Sequence, residues 1–406
     1  MKIQRCKGMR DLSPAEMKAF RAAVGVCRDC FKQWGYSEVR TPTIEYLHLF
    51  TSAGTLTPGM LGKVYSFLDW DGWSGERVVL RPDGTIPVAR FYTESVQRGP
   101  ARLFYTENIF IFEESGEKNR ERWQCGGELI GAGSAPADAE LVALSLEMLE
   151  KLGIKNIELR LSHAGLMKAL LGKLGMNAEE QHKTLDRILD GDTETLEKIG
   201  QKLPGAENNL RPLLSLAGQS TGFLRNQKAI LTRSLPEISA PLDDFLKTVA
   251  VLDELGIKYK INVASGAGFE YYTGLIFQIY IGKEKVGGGG RYDDLITAMG
   301  GGSVPASGFA LYLDRLMGYI RPESIAPAEA IKVVVKPGAG AVKEAFKAAT
   351  ELRRAGYAVA LDPGDKAAEW TIEVRNKAPL FRIKNTINKK SFEASTIEEV
   401  VKVLSE

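Results

Sequence analysis

The clearest periodic pattern in the chain lies near its start. Six apolar side chains recur there at steps of three and four residues, which is the spacing of one buried helix face: Met17, Phe20, Val24, Cys27, Phe31 and Trp34. Ser13, Pro14 and Glu16 make a capping-box start, and Gly35 suits the end. The pattern predicts a helix over 13–34 that buries Cys27.

Patterns typical of a sheet follow this helix. Val78–Leu80 is a short apolar run, and Leu103–Glu113 is rich in aromatic and β-branched residues. Residues 157–161 alternate between apolar and polar, as a half-buried strand does. Between these strands, Asp138 can cap a helix that runs to Leu152.

The amino-acid composition changes over residues 163–250, where Leu, Lys, Glu and Gln dominate at helix-like spacing. We interpret this stretch as a helical insertion. Strands are expected again at 259–263 and 271–280. The glycines at 287–290 and 300–302 suggest turns, and 309–319 has the spacing of a helix.

A linker is expected at 322–327, so the pattern predicts a core over 1–325 and a small α/β domain over 331–406. The predicted order in the second domain is strand 333–335, helix 342–354, strands 357–361, 371–374 and 381–387, and helix 397–404. Together the two domains give an α+β protein.

Composition narrows the possible functions. The 406 residues carry 53 basic and 51 acidic side chains, so nucleic acid is an unlikely partner. No apolar run of membrane-spanning length and no secretory signal is present, which favours a cytoplasmic protein. Cys27 and Cys30 form a C-x-x-C inside the predicted helix, and no zinc ligand set accompanies it. We therefore expect no metal and no cofactor.

Six motifs, in order along residues 5–320, resemble histidyl-tRNA synthetase. They are Lys7-Gly8-Met9-Arg10-Asp11, Gly35-Tyr36-Ser37-Glu38-Val39-Arg40-Thr41-Pro42, Leu80-Arg81-Pro82-Asp83-Gly84-Thr85, Phe269-Glu270-Tyr271-Tyr272-Thr273-Gly274, Gly288-Gly289-Gly290-Arg291-Tyr292-Asp293, and Gly308-Phe309-Ala310 with Asp314-Arg315-Leu316. The resemblance implies a class II synthetase-like antiparallel sheet flanked by helices. It also implies a homodimer through the core, and a C-terminal domain shorter than the family's anticodon-binding domain.

The resemblance also implies a pocket for free histidine. Asp83, Thr85 and Gln124 would hold the amino group, and Glu128 and Tyr272 would address the imidazole, with Tyr271 beside them. The family usually has Glu where Asp83 stands, so the reach is one methylene shorter here. The alternative is that these are ordinary polar residues on strands.

Two arginines that the family uses on the α-phosphate of ATP are missing. Ile111 stands at one position and Ala267 at the other, and no arginine occurs between Arg102 and Arg120 or between Arg233 and Arg291. Each such loss typically lowers the rate by about 10²–10³. We therefore expect no catalytic residues. Arg315 remains where the family contacts the far phosphates.

A histidine pocket without ATP chemistry resembles the non-catalytic, histidyl-tRNA synthetase-like regulatory subunits of ATP phosphoribosyltransferase. That resemblance implies activation of a short catalytic subunit, histidine feedback control, and a hetero-octamer. Two alternatives stay open. One is a divergent histidyl-tRNA synthetase, against which Ile111 and Ala267 count. The other is a synthetase-like RNA-binding protein, against which the near-neutral charge counts.

Overall fold

A computed structural model gives the architecture of residues 4–52, 61–70, 75–96, 99–112, 119–173, 180, 184, 217–233, 235–262, 271–321, 331–361 and 368–405. The chain divides into two compact units, Met1–Ala326 and Pro327–Glu406. Most of the predicted helical insertion (residues 174–216 apart from 180 and 184) lies outside the described residues, as does Ala267.

The first unit is built on a nine-stranded sheet and a three-stranded sheet. Its strands are β1 Ser37–Glu38, β2 Ile44–Tyr46, β3 Ser66–Trp70, β4 Gly75–Leu80, β5 Ala101–Phe110, β6 Glu121–Ile130, β7 Ile157–His163, β8 Ala217–Gly218, β9 Lys260–Asn262, β10 Leu275–Ile281, β11 Glu284–Arg291 and β12 Ala306–Tyr312. The large sheet has the order β1-β5-β6-β12-β11-β10-β7-β9-β8, and the small one β2-β4-β3.

The predicted antiparallel sheet flanked by helices is confirmed. Its centre, from β5 to β7, pairs antiparallel throughout, and the pairs β1–β5 and β7–β9 at the edges are parallel. The α-helices of this unit are α1 Pro14–Gln33, α2 Leu47–Ser52, α3 Thr85–Phe91, α4 Ala135–Lys151, α5 Ala164–Lys173, α6 Thr221–Leu231, α7 Ser239–Glu254, α8 Asp294–Ala298 and α9 Leu313–Leu316.

The two faces of the large sheet have separate cores. On the back face α1, α4, α6 and α7 pack in one apolar cluster that includes the buried Cys27 and Cys125. The front face has a smaller cluster with α3 and α8, in which Tyr105, Tyr292 and Ile296 are buried. The front cluster contains Tyr292 and packs against Tyr271 and Tyr272, all three from the sequence motifs. The front face therefore carries the candidate site.

The helix at 13–34 is confirmed with both halves of its capping box, since Ser13 accepts from the Glu16 amide and Glu16 accepts from the Ser13 amide. The prediction of Asp138 as a helix cap is wrong. The helix begins one turn earlier after Ser134, because Pro136 suits its first turn, and Asp138 is left to bind Arg291.

Two predictions after residue 284 are also wrong. The glycines 287–290 lie inside the central strand β11 rather than in a turn, because neighbouring backbones come too close for a Cβ. Residues 306–312 form strand β12, and only Leu313–Leu316 are helical. Apolar residues spaced for a helix also alternate in burial along this strand, so the pattern alone was ambiguous.

The second unit is a five-stranded sheet with two helices. Its elements are β13 Lys332–Pro337, α10 Val342–Arg354, β14 Ala358–Leu361, β15 Trp370–Val374, β16 Phe381–Asn385, β17 Ser391–Ala394 and α11 Ile397–Ser405, in the sheet order β14-β13-β15-β16-β17. Apart from β17, which the sequence pattern missed, each element lies within two residues of its predicted place. Val335, Ile372 and Ile383 pack against Leu352 and Leu404 in its core.

Within the described ranges, no helix is long and apolar enough to cross a membrane.

Candidate functional site

The site is set by strand register on the front face. Gln124 pairs with Tyr312, Gly126 with Ala310, and Glu128 with Gly308. Gln124, Gly126 and Glu128 alternate along β6 at steps of two residues, so they lie on the same face of the sheet. Residues that pair across antiparallel strands also share a face, so Tyr105, which pairs with Gly126, lies there too. Three adjacent strands thus aim polar side chains at one region of the sheet.

Glu128 lies at the centre of this region. It is only 1% exposed, and its two carboxyl oxygens accept from Thr85 Oγ1 at 2.8 Å and from the Tyr292 hydroxyl. Burial raises the pKa of Glu128 to about 8; the two hydrogen bonds oppose the rise and the nearby Asp83 adds to it. The carboxyl group is therefore mostly protonated at pH 7 in the free protein.

Asp83 and Thr85 stand at the start of α3. Asp83 Oδ1 accepts from the Ile86 amide at 3.0 Å, so this carboxyl caps the helix. Burial raises the pKa of Asp83, and the backbone amides of Ile86, Thr85 and Gly84 oppose that rise. Asp83 therefore fixes the start of α3, and with it the Thr85 hydroxyl that donates to Glu128.

Two buried polar atoms on this face have no partner of good hydrogen-bonding geometry among the described residues. They are Oε1 of Gln124 and the hydroxyl of Tyr105, which lies beside Thr85. An unsatisfied buried polar group typically costs about 1–3 kcal/mol. Such atoms point to a ligand that would complete their bonding.

Three tyrosine rings form one wall of the site. The ring centroids are 4.8 Å apart for Tyr271 and Tyr272, 5.6 Å for Tyr271 and Tyr292, and 6.5 Å for Tyr272 and Tyr292. Glycines make room for them: a Cβ on Gly290 would lie 2.9 Å from the Tyr272 ring, and one on Gly308 would lie 2.7 Å from the Tyr292 hydroxyl. A flat, amphipathic wall of this kind suits a small planar ligand.

The structure brings five of the six predicted residues together: Thr85 donates to Glu128, and the charge of Asp83 is close enough to raise the pKa values of Glu128, Tyr271 and Tyr272. Gln124 lies on the same face of β6, four residues along the strand from Glu128. Sequence reasoning missed Tyr105 and Tyr292. Tyr105 could have been found only with the strand register known, because its pairing with Gly126 brings it onto the front face. Tyr292 belongs to the motif Gly288–Asp293, and its hydroxyl reaches Glu128 from the end of β11.

Further along the same face the chemistry differs. Ile111 follows β5, and its amide donates to the Arg120 carbonyl at 2.9 Å. Arg315 Nη1 donates to the Lys285 carbonyl at 2.6 Å, and its guanidinium lies 5.2 Å from the centre of the Tyr312 ring. Arg315, Lys285 and Tyr312 border a cleft of about 990 Å³, whose other basic side chains are Arg122 and Lys283. The Arg315 guanidinium is thus engaged within the protein.

No group of three or more His, Cys, Asp and Glu side chains among the residues of known placement could hold a metal ion.

The sequence profile of the histidyl-tRNA synthetase family matches residues 8–316, and the chain belongs to this family. The fold agrees, because a crystal structure described as an ATP phosphoribosyltransferase regulatory subunit/histidyl-tRNA synthetase from Bacillus halodurans superposes with a TM-score of 0.75. It is 26% identical and covers 89% of this chain and 93% of that one.

Full-length relatives define the branch. An ATP phosphoribosyltransferase regulatory subunit of Dehalococcoides mccartyi is 49% identical over 407 residues, which covers 99% of this chain and 98% of that protein. A histidine–tRNA ligase of Methanosarcina acetivorans is 35% identical over 364 residues, 87% of this chain and 83% of that protein. Within the synthetase family, the chain is a member of the ATP phosphoribosyltransferase regulatory subunits.

Proposed function

We propose that this protein binds free histidine on the front face of its sheet and regulates a short catalytic subunit of ATP phosphoribosyltransferase, without catalysis of its own. The observation that carries the proposal is the buried Glu128, held by Thr85 and Tyr292 on the strand face that also carries the unpartnered Gln124 Oε1. Regulatory-subunit relatives at 49% identity support the partner. The cytoplasm, expected from the sequence, is the proposed compartment.

Each group has a role in this proposal. Asp83, Thr85 and Gln124 hold the ammonium of histidine, since they supply a carboxyl and two neutral acceptors. Glu128 accepts from one imidazole N–H, and Tyr272 addresses the second ring nitrogen. Tyr271 packs against Tyr272 and fixes its ring. Tyr105 adds a hydroxyl that the sequence motifs did not include.

Regulation requires that the histidine site and the partner's active site be coupled. Coupling of two binding sites is typically about 1–3 kcal/mol, or about 5- to 150-fold in affinity, and it is reciprocal. Substrates bound to the catalytic subunit should therefore change the affinity for histidine by the same factor by which histidine changes theirs.

The decisive experiment measures phosphoribosyltransferase activity of the short catalytic subunit during titration with this protein. We expect the rate to rise with added protein and to fall again when histidine is added. In the Glu128→Ala protein the histidine concentration for half inhibition should rise about 10- to 150-fold, as expected for one lost hydrogen bond to a charged group. An unchanged rate, with no histidine effect on the mixture, contradicts the proposal.

We also propose a homodimer of this chain and its assembly into a hetero-octamer with the catalytic subunit. Three large apolar side chains are exposed on one face of the three-stranded sheet, where Ile44 pairs with Leu80 and both Tyr46 and Phe67 pair with Val78: Ile44, Tyr46 and Phe67 are 43–47% exposed. A grouped apolar surface of this kind typically belongs to an interface.

Light scattering after size exclusion tests the dimer and, with the catalytic subunit added, the octamer. Phe67→Arg should shift the free protein toward the monomer mass. The matched control is Ile387→Arg, because Ile387 is an exposed apolar residue of the second unit and not part of the three-stranded sheet. A monomeric mass for the unmodified protein contradicts the dimer.

The rival function, RNA binding, draws support from one feature, the cleft bordered by Arg122, Lys283, Lys285 and Arg315. Binding of single-stranded RNA that weakens strongly with salt, and that is lost in a Lys283→Glu/Lys285→Glu protein, would favour it.

A further inference from the structure

Arg291 and Tyr292 are consecutive residues whose side chains leave opposite faces of the large sheet. Tyr292 donates to Glu128 on the front face. Arg291 turns to the back face, where its Nε and Nη2 donate to the two oxygens of Asp138 on α4 at 3.2 and 2.6 Å. Consecutive residues at the end of a strand alternate between faces, so a contact behind the sheet is tied directly to a contact in the pocket.

The same guanidinium holds the loop that follows β6, the strand that carries Glu128. Arg291 Nη1 donates to the Ala132 carbonyl and Nη2 to the Ser134 carbonyl, each at 3.4 Å. Because this loop leads from β6 into α4, Arg291 fixes the end of the Glu128 strand against the end of β11.

The backbone of Arg291 holds the tyrosine wall. Its carbonyl accepts from the Thr273 amide at 2.7 Å, directly after Tyr271 and Tyr272. A Cβ on Gly274 would lie 2.9 Å from Arg291 Cδ, so the glycine leaves space for the arginine stem. Three segments that supply pocket side chains therefore meet at one residue that does not itself face the pocket.

The pair of Arg291 and Asp138 is buried and ionic. The two side chains are 8% and 4% exposed. Burial raises the pKa of Asp138 to about 6, and the Arg291 guanidinium opposes that rise. At pH 7.5 the carboxyl is therefore ionised and the fork-like, two-point pair is intact.

We propose that the Arg291–Asp138 pair is the positioning element of the histidine pocket: from behind the sheet it fixes Tyr292, the Glu128 strand and the Tyr271–Tyr272 segment in their mutual geometry. This inference rests on the proposed function, because it concerns the same ligand. Neither side chain touches histidine. Loss of the pair lowers histidine affinity by letting Tyr292 and Glu128 separate.

The test is a double-mutant cycle in the full-length protein, with histidine affinity measured by calorimetry at pH 7.5. Asp138→Asn should weaken binding by about 2- to 30-fold, the range typical of residues that act through others. Tyr292→Phe removes the hydroxyl through which the effect passes. The double variant should therefore bind within about twofold of Tyr292→Phe alone.

The matched control is Glu140→Gln. Glu140 lies on the same helix and makes its own two-point pair with Arg102, at 2.8 and 2.9 Å, away from the tyrosine wall. The Glu140→Gln variant should bind histidine with an affinity within about twofold of that of the unmodified protein. A drop as large as that of Asp138→Asn would mean that any loosening of α4 suffices, and would overturn the inference.

The remaining outcomes separate the two proposals. If the unmodified protein binds histidine and the Asp138→Asn and Tyr292→Phe effects simply add, the positioning role is wrong and the proposed function stands. If the unmodified protein binds no histidine, the proposed function fails and the positioning role with it. Should Asp138→Asn not fold, Arg291→Lys replaces it in the cycle, since lysine keeps the charge but loses the two-point geometry.

Discussion

The two halves of the front face differ in how their polar groups are used. In the half around Glu128, the Gln124 Oε1 and the Tyr105 hydroxyl are buried without a well-formed partner among the described residues, and glycines leave space beside them. In the half around Arg315, the guanidinium already donates to the Lys285 carbonyl, and Ile111 supplies no charge. The half around Glu128 has unused hydrogen-bonding capacity, whereas the Arg315 guanidinium of the other half already uses part of its own.

Under the proposed function, this difference would let a synthetase-like sheet bind histidine without acting on ATP. Recognition of histidine needs fixed neutral and acidic groups at short range, and these remain. Transfer chemistry on ATP needs fixed positive charge at the phosphate that reacts. A β-branched side chain at 111 cannot supply it. The two requirements lie on different strand segments, so the loss of one leaves the other intact.

The largest expected effect concerns ATP chemistry. Histidine-dependent exchange of pyrophosphate into ATP should fall about 10⁴- to 10⁶-fold below that of a synthetase, because two phosphate-binding arginines are missing. Ile111→Arg alone should still leave the exchange about 10²- to 10³-fold below that of a synthetase, since Ala267 stays. Robust exchange by the purified protein would show that the second half of the face is still a working site.

Removal of the Glu128 carboxyl should have the next largest effect. Glu128→Ala leaves an imidazole N–H without its acceptor, which should weaken histidine binding about 10- to 150-fold by calorimetry. Arg315→Ala is the control from the other half, and should change the affinity less than about twofold. Equal losses in the two variants would erase the distinction between the halves.

A smaller change is expected for Tyr105→Phe, which removes only a hydroxyl. One neutral hydrogen bond contributes about 0.5–1.5 kcal/mol, so histidine affinity should fall about 2- to 13-fold. The free protein should unfold at the same or a higher temperature, because a poorly satisfied buried hydroxyl has gone. A lower unfolding temperature with unchanged affinity would mean that Tyr105 only packs.

The pH dependence should be the mildest test. With a pKa of about 8, Glu128 must release its proton to accept from imidazole. Histidine affinity should then rise about fivefold from pH 7 to pH 8, with release of about one proton per histidine bound at pH 7. Calorimetry in two buffers of different ionisation enthalpy measures that release; none would mean that the neutral acid donates to the ring instead.

The same pKa makes a prediction for the free protein. A carboxyl whose pKa is higher in the folded than in the unfolded state binds more protons when folded, so the free energy of unfolding falls as pH rises from about 4.5 through 8. Glu128→Gln should remove this component of the fall, as measured by denaturant unfolding at pH 6 and pH 9.

Local signals were enough for much of the fold. Two features depend only on neighbours in sequence: the capping box at Ser13 and Glu16, and the strands of the second unit other than β17. Both were predicted within about two residues. The glycine strand β11 was not, because its need for glycine comes from backbones on either side of it. That need is visible only once the strand order is known.

For the candidate site too, local sequence signals predicted some residues and missed those that depend on strand pairing. Its six residues came from family motifs, and five of them lie together in the structure, whereas Tyr105 depends on pairing with Gly126 and was missed. Asp138 was predicted as a helix cap because its side chain is typical of caps, yet it serves Arg291. A residue whose role lies 153 positions away in sequence cannot be assigned from its own neighbourhood.

The run of glycines in β11 limits how the pocket can change. Where main-chain atoms form a surface, a side-chain substitution cannot change its shape without displacing the adjacent strands. The close approach of the Phe277 carbonyl to Gly288 illustrates this. New ligand preferences, whether selected in nature or by design, must therefore arise from side chains, such as that of Gln124 or those of the 271–272 segment beside Gly290. The main chain of β11 is thus fixed, and ligand specificity can change only through the side chains around it.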